Sequence, residues 1–140
     1  MTGDQGDEDE LRMLVQRLAR RIRANRAADT ISDTQLSVLR RLDLHGPATP
    51  GELAIREQVS PPSMNRTVNA LEAAGLIARA PSQSDARKVL VTLTADGVAL
   101  TRETRRLRAE WFAERLAALS DDERTRLLGV RDVLRKLADS

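Results

Sequence analysis

A run of asparagine, arginine and hydroxyl side chains between residues 60 and 71 carries the chemistry that is easiest to interpret in this sequence. On a helix, Pro62, Asn65, Arg66 and Asn69 gather on the side opposite the apolar residues of the same segment. Arginine makes paired hydrogen bonds with guanine, and asparagine makes them with adenine. The segment therefore predicts a helix whose polar face bonds to the edges of bases in a DNA groove.

Hydroxyl groups flank this face, at Ser60, Ser63 and Thr67. Such groups reach phosphates, as do the backbone amides at a helix N-terminus. No acidic residue, which phosphate would repel, occurs from Val59 to Leu71. The alternative is a merely solvated helix face, but such a face normally carries glutamate and lysine. This one has neither, so recognition is the preferred interpretation.

A two-residue alternation of apolar side chains at 88–93 indicates a β-strand, whereas the chain on both sides has helical patterns. We predict a hairpin with residues 76–80 as its first strand, 81–87 as its tip and 88–93 as its return strand. Taken alone, this could be an ordinary surface hairpin. Because it follows two helices, a DNA-binding wing is the better interpretation.

The predicted tip carries Arg87, and Lys88 follows it at the start of the return strand; both are suited to DNA contact. An arginine at a hairpin tip can enter a narrow minor groove, where the negative potential favours a guanidinium group. Asp85 belongs to the same candidate set, although it cannot bind phosphate. We expect Asp85 to pair with an arginine and so fix the shape of the tip.

Helix-capping patterns divide the rest of the chain. Three segments begin with Ser or Thr followed three residues later by Gln or Glu: Ser32 with Gln35, Thr49 with Glu52, and Ser120 with Glu123. Helices are predicted at 8–28, 32–45, 49–58, 60–75 and 94–119, with a last one from 120. The third and fourth helices, joined by a three-residue turn, form a helix–turn–helix.

These elements predict a mainly α fold with a small β-hairpin wing. Residues 31–94 form a winged helix–turn–helix core, flanked by N- and C-terminal dimerisation helices at 10–30 and 95–138. Apolar stripes on the flanking helices exceed what a core of that size can cover, so two copies should bury them together. Residues 1–9, which are rich in acids, are expected to form a disordered tail.

Composition argues against other classes of function. The chain of 140 residues contains no cysteine and one histidine, His45, and its net charge of +2 is too small to identify a partner. Without a glycine-rich phosphate loop, an enzyme is not expected, and neither is a cofactor or a metal site. No apolar stretch approaches membrane-spanning length. A cytoplasmic protein is expected.

Two motifs together resemble the MarR family of winged helix–turn–helix transcriptional regulators. The first is Asp85-x-Arg87 followed by Leu93-Thr94-x-x-Gly97, and the second is Leu71-Glu72-x-x-Gly75-Leu76-Ile77. The resemblance covers about residues 8–138. It implies a homodimer, a palindromic operator in double-stranded DNA and, frequently, a small-molecule effector. The sequence departs from relatives in its Pro61-Pro62 pair, and the lack of cysteine is unlike the peroxide-sensing branch.

The expected function is that of a homodimeric, sequence-specific regulator, a repressor that a small anionic and partly apolar ligand releases from DNA. The ligand would bind in a cleft between the core and the flanking helices, lined by Leu18, Ile22, Leu36, Leu39, Leu107 and Trp111. Alternatively, these six residues only pack the interior. The competing function is a winged-helix module that binds another protein and has lost DNA binding.

Overall fold

The computed structural model of the protein describes residues 2–140, with residues 2 and 3 described by their backbone alone. Seven helices and one hairpin follow in the order α1 (Thr2–Arg23), α2 (Asp33–His45), α3 (Pro50–Glu57), α4 (Pro61–Ala73), β1 (Ile77–Pro81), β2 (Val89–Leu93), α5 (Ala95–Ala117), α6 (Asp121–Gly129) and α7 (Arg131–Asp139). The mainly α fold with a β-hairpin is confirmed.

The helices begin where the capping patterns predicted. Ser32, Thr49 and Ser120 each accept a hydrogen bond from the amide three residues on, and the Gln or Glu at that position bonds back to the cap. These reciprocal bonds satisfy amides that have no partner inside the helix. Local sequence thus fixes the starts of α2, α3 and α6.

The hydrophobic core lies between α2, α3, α4 and the hairpin. Its buried side chains are Ile31, Leu36, Val38, Leu39, Leu42, Ala48, Leu53, Ala54, Met64, Val68, Leu71, Leu76, Ile77 and Val91. The prediction that the apolar side of α4 faces the interior is therefore confirmed. With Met64, Val68 and Leu71 buried, the opposite side of α4 must face outward.

The hairpin is antiparallel, with Ile77 opposite Leu93 and Pro81 opposite Val89. Its first strand starts one residue later than predicted because Leu76 still belongs to the turn that ends α4, where its amide donates to the carbonyl of Leu71. Ala48, between α2 and α3, adds a short bridge to Val91 and so ties the hairpin to the helix–turn–helix.

Two predictions about the ends of the chain are corrected. Residues 2–9 lie within α1 instead of a disordered tail. The segment contains no proline, and its acids lie near the positive end of the helix dipole. The predicted last helix is two helices, because α6 ends at Gly129, a poor helix former, and α7 begins at Arg131.

The end of α4 meets the start of α5 in a close junction. The Thr94 hydroxyl donates to the Gly75 carbonyl at 2.7 Å and accepts from the Gly97 amide at 3.1 Å. The Thr94 amide donates to the Leu76 carbonyl at 3.1 Å. A Cβ atom on Gly97 would lie only 2.0 Å from the Leu76 carbonyl oxygen, so that position requires glycine. These bonds join the two sequence motifs that resemble the MarR family.

Gly97→Ala should therefore lower the free energy of unfolding by about 2 kcal/mol, because two backbones must separate to admit the methyl group. Glycine-to-alanine changes inside helices ordinarily stabilise by up to about 1 kcal/mol. Gly51→Ala in α3 is the matched control, since the nearest atom to its new Cβ is 3.9 Å away. Urea denaturation of both variants checks this, and an unchanged midpoint for Gly97→Ala would contradict the close junction.

Candidate nucleic-acid interface

The outward face of α4 carries the side chains predicted to read bases. Pro62, Asn65, Arg66 and Asn69 are all exposed. Helix α4 starts at its N-cap Ser60, whose hydroxyl accepts from the amide of residue 63. A buried apolar side and an exposed polar side make α4 a helix that presents hydrogen-bonding groups on a rigid element.

The hydroxyl groups at the start of α4 are partly occupied by bonds within the helix. Arg66 Nη2 donates to Ser63 Oγ at 3.2 Å, which directs the guanidinium group toward the helix N-terminus. The Ser60 hydroxyl lies 3.1 Å from that of Ser63. Thr67 is half-buried, and its hydroxyl donates to the Ser63 carbonyl at 3.2 Å. Thr67 and Ser60 therefore both donate their hydroxyl protons within the helix, whereas the Ser63 hydroxyl, which accepts from Ser60 and Arg66, keeps its own proton free to donate.

Arg79, in strand β1, contacts this face and was not among the residues predicted from the sequence. Its guanidinium group donates to Asn69 Oδ1 at 2.7 Å and to Glu72 Oε1 at 2.9 Å. The signal in the sequence was an arginine in the first strand, seven residues after the one acid of α4. This contact links strand β1 of the wing to the exposed polar face of α4.

The wing tip is shaped by Asp85, although not in the way we predicted. The Asp85 carboxylate accepts from the backbone amide of Arg87 at 3.0 Å, while the Asp85 carbonyl accepts from the Lys88 amide at 3.0 Å. Asp85 thus bonds to the backbone of an arginine and not to a guanidinium group. Within residues 2–140, neither Arg87 nor Lys88 forms an ion pair, and both side chains are exposed.

A cavity of about 520 Å³ lies between α1, α2 and α5. Its lining consists of Ala19, Ile22, Arg23, Asp33, Leu36, Ser37, Arg40, Asp43, Leu44, Thr101, Thr104, Arg105 and Arg108. Arg108 donates to the carbonyls of Arg23 and Asn25, which ties the end of α1 to α5. Burial lowers the pKa of the Arg108 guanidinium group.

Only two of the six residues predicted to line this cleft do so, namely Ile22 and Leu36. The other four do not line this cavity. Leu39 is fully buried in the core, and Leu18 is 40% exposed on the outer stripe of α1. Leu107 is half-buried outside the lining. Trp111 is held between the guanidinium groups of Arg21 and Arg115, which lie 5.1 and 4.4 Å from its ring centre.

No helix within 2–140 has an apolar stretch long enough to cross a membrane. No group of acidic or histidine side chains in the same part of the chain could hold a metal ion.

Two helices joined by a tight turn, followed by a hairpin with a basic tip, define a winged helix–turn–helix protein. The family model described as "MarR family" matches residues 31–89. The HTH-type transcriptional regulator Mb0904 of Mycobacterium bovis is 43% identical over 130 residues, which cover 93% of this chain and 91% of that protein. The chain belongs to the MarR family of HTH-type transcriptional regulators.

Solved structures agree with the fold. A putative transcriptional regulator from Pseudomonas aeruginosa PA01 is 31% identical, with a TM-score of 0.87 and coverage of 100% of this chain and 99% of that one. A MepR mutant of S. aureus bound to an oligodeoxyribonucleotide is 20% identical, with a TM-score of 0.72 and coverage of 94% and 96%. The second likeness is one of fold alone.

Two substitutions at position 85 separate the shape of the wing tip from its charge. Asp85→Ala removes the acceptor for the Arg87 amide, so the tip should loosen and DNA affinity should fall about threefold to tenfold. Asp85→Asn keeps an acceptor and removes a negative charge, so its affinity should equal or exceed that of the unmodified protein. Titration of labelled DNA at fixed salt measures both. Stronger binding by Asp85→Ala would show that charge outweighs shape.

Proposed function

We propose that the protein is a homodimeric repressor that inserts α4 into the major groove and the wing into the adjacent minor groove of a palindromic operator. The observation that carries this proposal is the exposed face of Asn65, Arg66 and Asn69, which stands beside a wing whose Arg87 and Lys88 lack ion-pair partners within residues 2–140. Support comes from the MepR structure of the same fold, which is bound to an oligodeoxyribonucleotide.

Contacts to bases and contacts to the backbone should respond differently to substitution. Arg66→Ala or Asn69→Ala should cost about 1–3 kcal/mol on the preferred site and broaden base preference, because each removes a base contact. Arg87→Ala should weaken binding more evenly across sequences, because a wing arginine senses groove width and charge. Selection from random DNA, followed by titration at several salt concentrations, measures both effects.

The same selection tests the function itself. A palindrome with half-sites about one helical turn apart is expected, because both recognition helices must meet one face of the duplex. Failure of the unmodified protein to enrich any sequence would favour the competing function, a module that binds another protein.

Dimerisation is supported by large apolar side chains that are exposed at both ends of the described chain. Those of α1 are Leu11, Met13, Leu14, Val15 and Leu18, and those at the other end of the chain are Leu127, Leu128, Val130, Val133, Leu134 and Leu137. Exposed apolar patches of this extent mark interfaces. Because both ends carry such stripes, a second copy related by twofold symmetry can cover them reciprocally.

Leu134→Glu should weaken the dimer at least about tenfold, since the symmetry places two unpaired carboxylates in one apolar interface. The control is Ile55→Glu in α3, which changes another exposed apolar residue (79% exposed) away from both stripes. Sedimentation at micromolar concentration compares the two. If the unmodified protein sediments as a monomer, the proposed dimer is contradicted.

Ligand release is the second part of the proposal, and it rests on the cavity between α1, α2 and α5. Arg40 and Arg105 line the cavity and, within the described residues, form no ion pair, while Asp33 is already paired with Arg26 at 3.4 Å. An anionic ligand with an apolar body fits these cations and the side chains of Ile22 and Leu36. The ligand releases DNA only if it binds more tightly to the conformation in which the spacing between the two recognition helices does not fit DNA.

A series of aromatic and aliphatic carboxylic acids should therefore contain compounds that weaken operator binding. Arg105→Met should reduce their effect about tenfold through the loss of one charge-assisted contact. Arg106→Met is the matched control, because Arg106 is adjacent, exposed and paired with Glu103 and Glu110 outside the cavity. Operator release is measured by fluorescence anisotropy. Equal effects of the acids on both variants would place their site elsewhere.

A further inference from the structure

The side chain of Arg79 spans from strand β1 to the recognition face of α4. Strand pairing fixes its backbone opposite the buried Val91. Its side chain is 29% exposed, and the two terminal nitrogens of its guanidinium group donate to Asn69 Oδ1 at 2.7 Å and to Glu72 Oε1 at 2.9 Å. Asn69 and Glu72 are one helical turn apart, so the planar fork of an arginine matches their spacing.

The chemistry of this contact sets the orientation of the Asn69 amide. A guanidinium group only donates hydrogen bonds, so the atom of Asn69 that faces Arg79 must be the carbonyl oxygen. The NH₂ group of Asn69 then points away from Arg79, and no acceptor within residues 2–140 takes its hydrogens. Arg79 thus leaves Asn69 with two free donors and an oxygen that is already engaged.

This state of Asn69 does not match the usual partner of asparagine. Pairing with adenine requires the amide oxygen to accept from N6 while the NH₂ group donates to N7. Guanine instead presents two adjacent acceptors, N7 and O6, in the major groove. We propose that Arg79 is a positioning residue that makes Asn69 a donor, so that Asn69 selects guanine. This inference rests on the proposed function.

Arg79 also offsets the charge of Glu72, the one acid in α4. A carboxylate three residues beyond Asn69 would repel phosphates if it were unpaired. Since the guanidinium group binds the carboxylate with one end, its other end is held in place for Asn69. Lysine cannot replace it, because a single ammonium group lacks the fork that reaches both side chains.

The first test uses the unmodified full-length protein and the operator recovered from random DNA. Each guanine is replaced in turn by 7-deazaguanine, which lacks the N7 acceptor. At one guanine position in each half-site, this replacement should lower the affinity of the unmodified protein about tenfold. The affinity of Asn69→Ala should be almost unchanged by the same replacement. If the position that depends on Asn69 is instead an adenine, and methylation of its N6 is equally damaging, the inference is wrong.

The second test compares variants by selection from random DNA. Arg79→Met and Arg79→Lys should both relax the guanine preference at the Asn69 position at least about fivefold, with the other positions unchanged. Arg41→Met is the matched control, because Arg41 also pairs across helices, with Glu57 at 2.8 Å, but does not contact α4 residues that face DNA. A guanine preference within twofold of the unmodified protein in either folded Arg79 variant would overturn the inference.

Different results contradict the proposed function and the role of Arg79. If the unmodified protein enriches no palindrome, the proposed function itself is contradicted. If it enriches a palindrome whose Asn69 position does not depend on Arg79, only the role of Arg79 is overturned. Should Arg79→Met not fold, Arg79→Lys and the base analogues, which use the unmodified protein, still decide the question.

Discussion

The close contact between Gly97 and the Leu76 carbonyl is the constraint on which the rest of the structure depends. At this junction, α4 ends, the hairpin begins and returns, and α5 starts. The Thr94 hydroxyl bonds to both sides of the junction, to Gly75 and to Gly97. Because all three elements meet within a few residues, α4 is bonded directly to the wing and to the start of the long helix α5.

Several side chains of the candidate interface are held in place before any DNA binds. Asn69 is held by Arg79, Arg66 bonds to Ser63, and Asp85 closes the wing tip on the Arg87 backbone. Side chains that are already ordered lose less conformational freedom on binding, and so more of the contact energy appears as affinity. The same bonds restrict which donors and acceptors remain free, so they also shape specificity.

The sequence predicted those parts of the fold that local chemistry determines. The caps at Ser32, Thr49 and Ser120 signal their helices directly, and the apolar spacing of Met64, Val68 and Leu71 identifies the buried side of α4. The exposed recognition face follows from that periodicity, because the polar residues must lie opposite.

What the sequence did not predict depends on contacts between distant residues. Arg79 reaches Asn69 only because the hairpin folds back on α4, and Trp111 stacks between Arg21 and Arg115 only because α1 packs along α5. The cavity lining was likewise mispredicted, since a leucine such as Leu39 can equally face the core or a cleft. Local sequence patterns predict which side of a helix or strand is apolar, whereas tertiary packing decides which of these sides contact each other.

The central claim, that α4 lies in the major groove, can be tested directly because the chain has no cysteine of its own. Ala70→Cys introduces a single thiol on the exposed side of α4, one turn beyond Arg66, to which an iron chelate that cleaves DNA can be attached. With the selected operator, the account predicts two clusters of strand cleavage about one helical turn apart, one in each half-site. Cleavage spread evenly along bound DNA, or none at all, would contradict it.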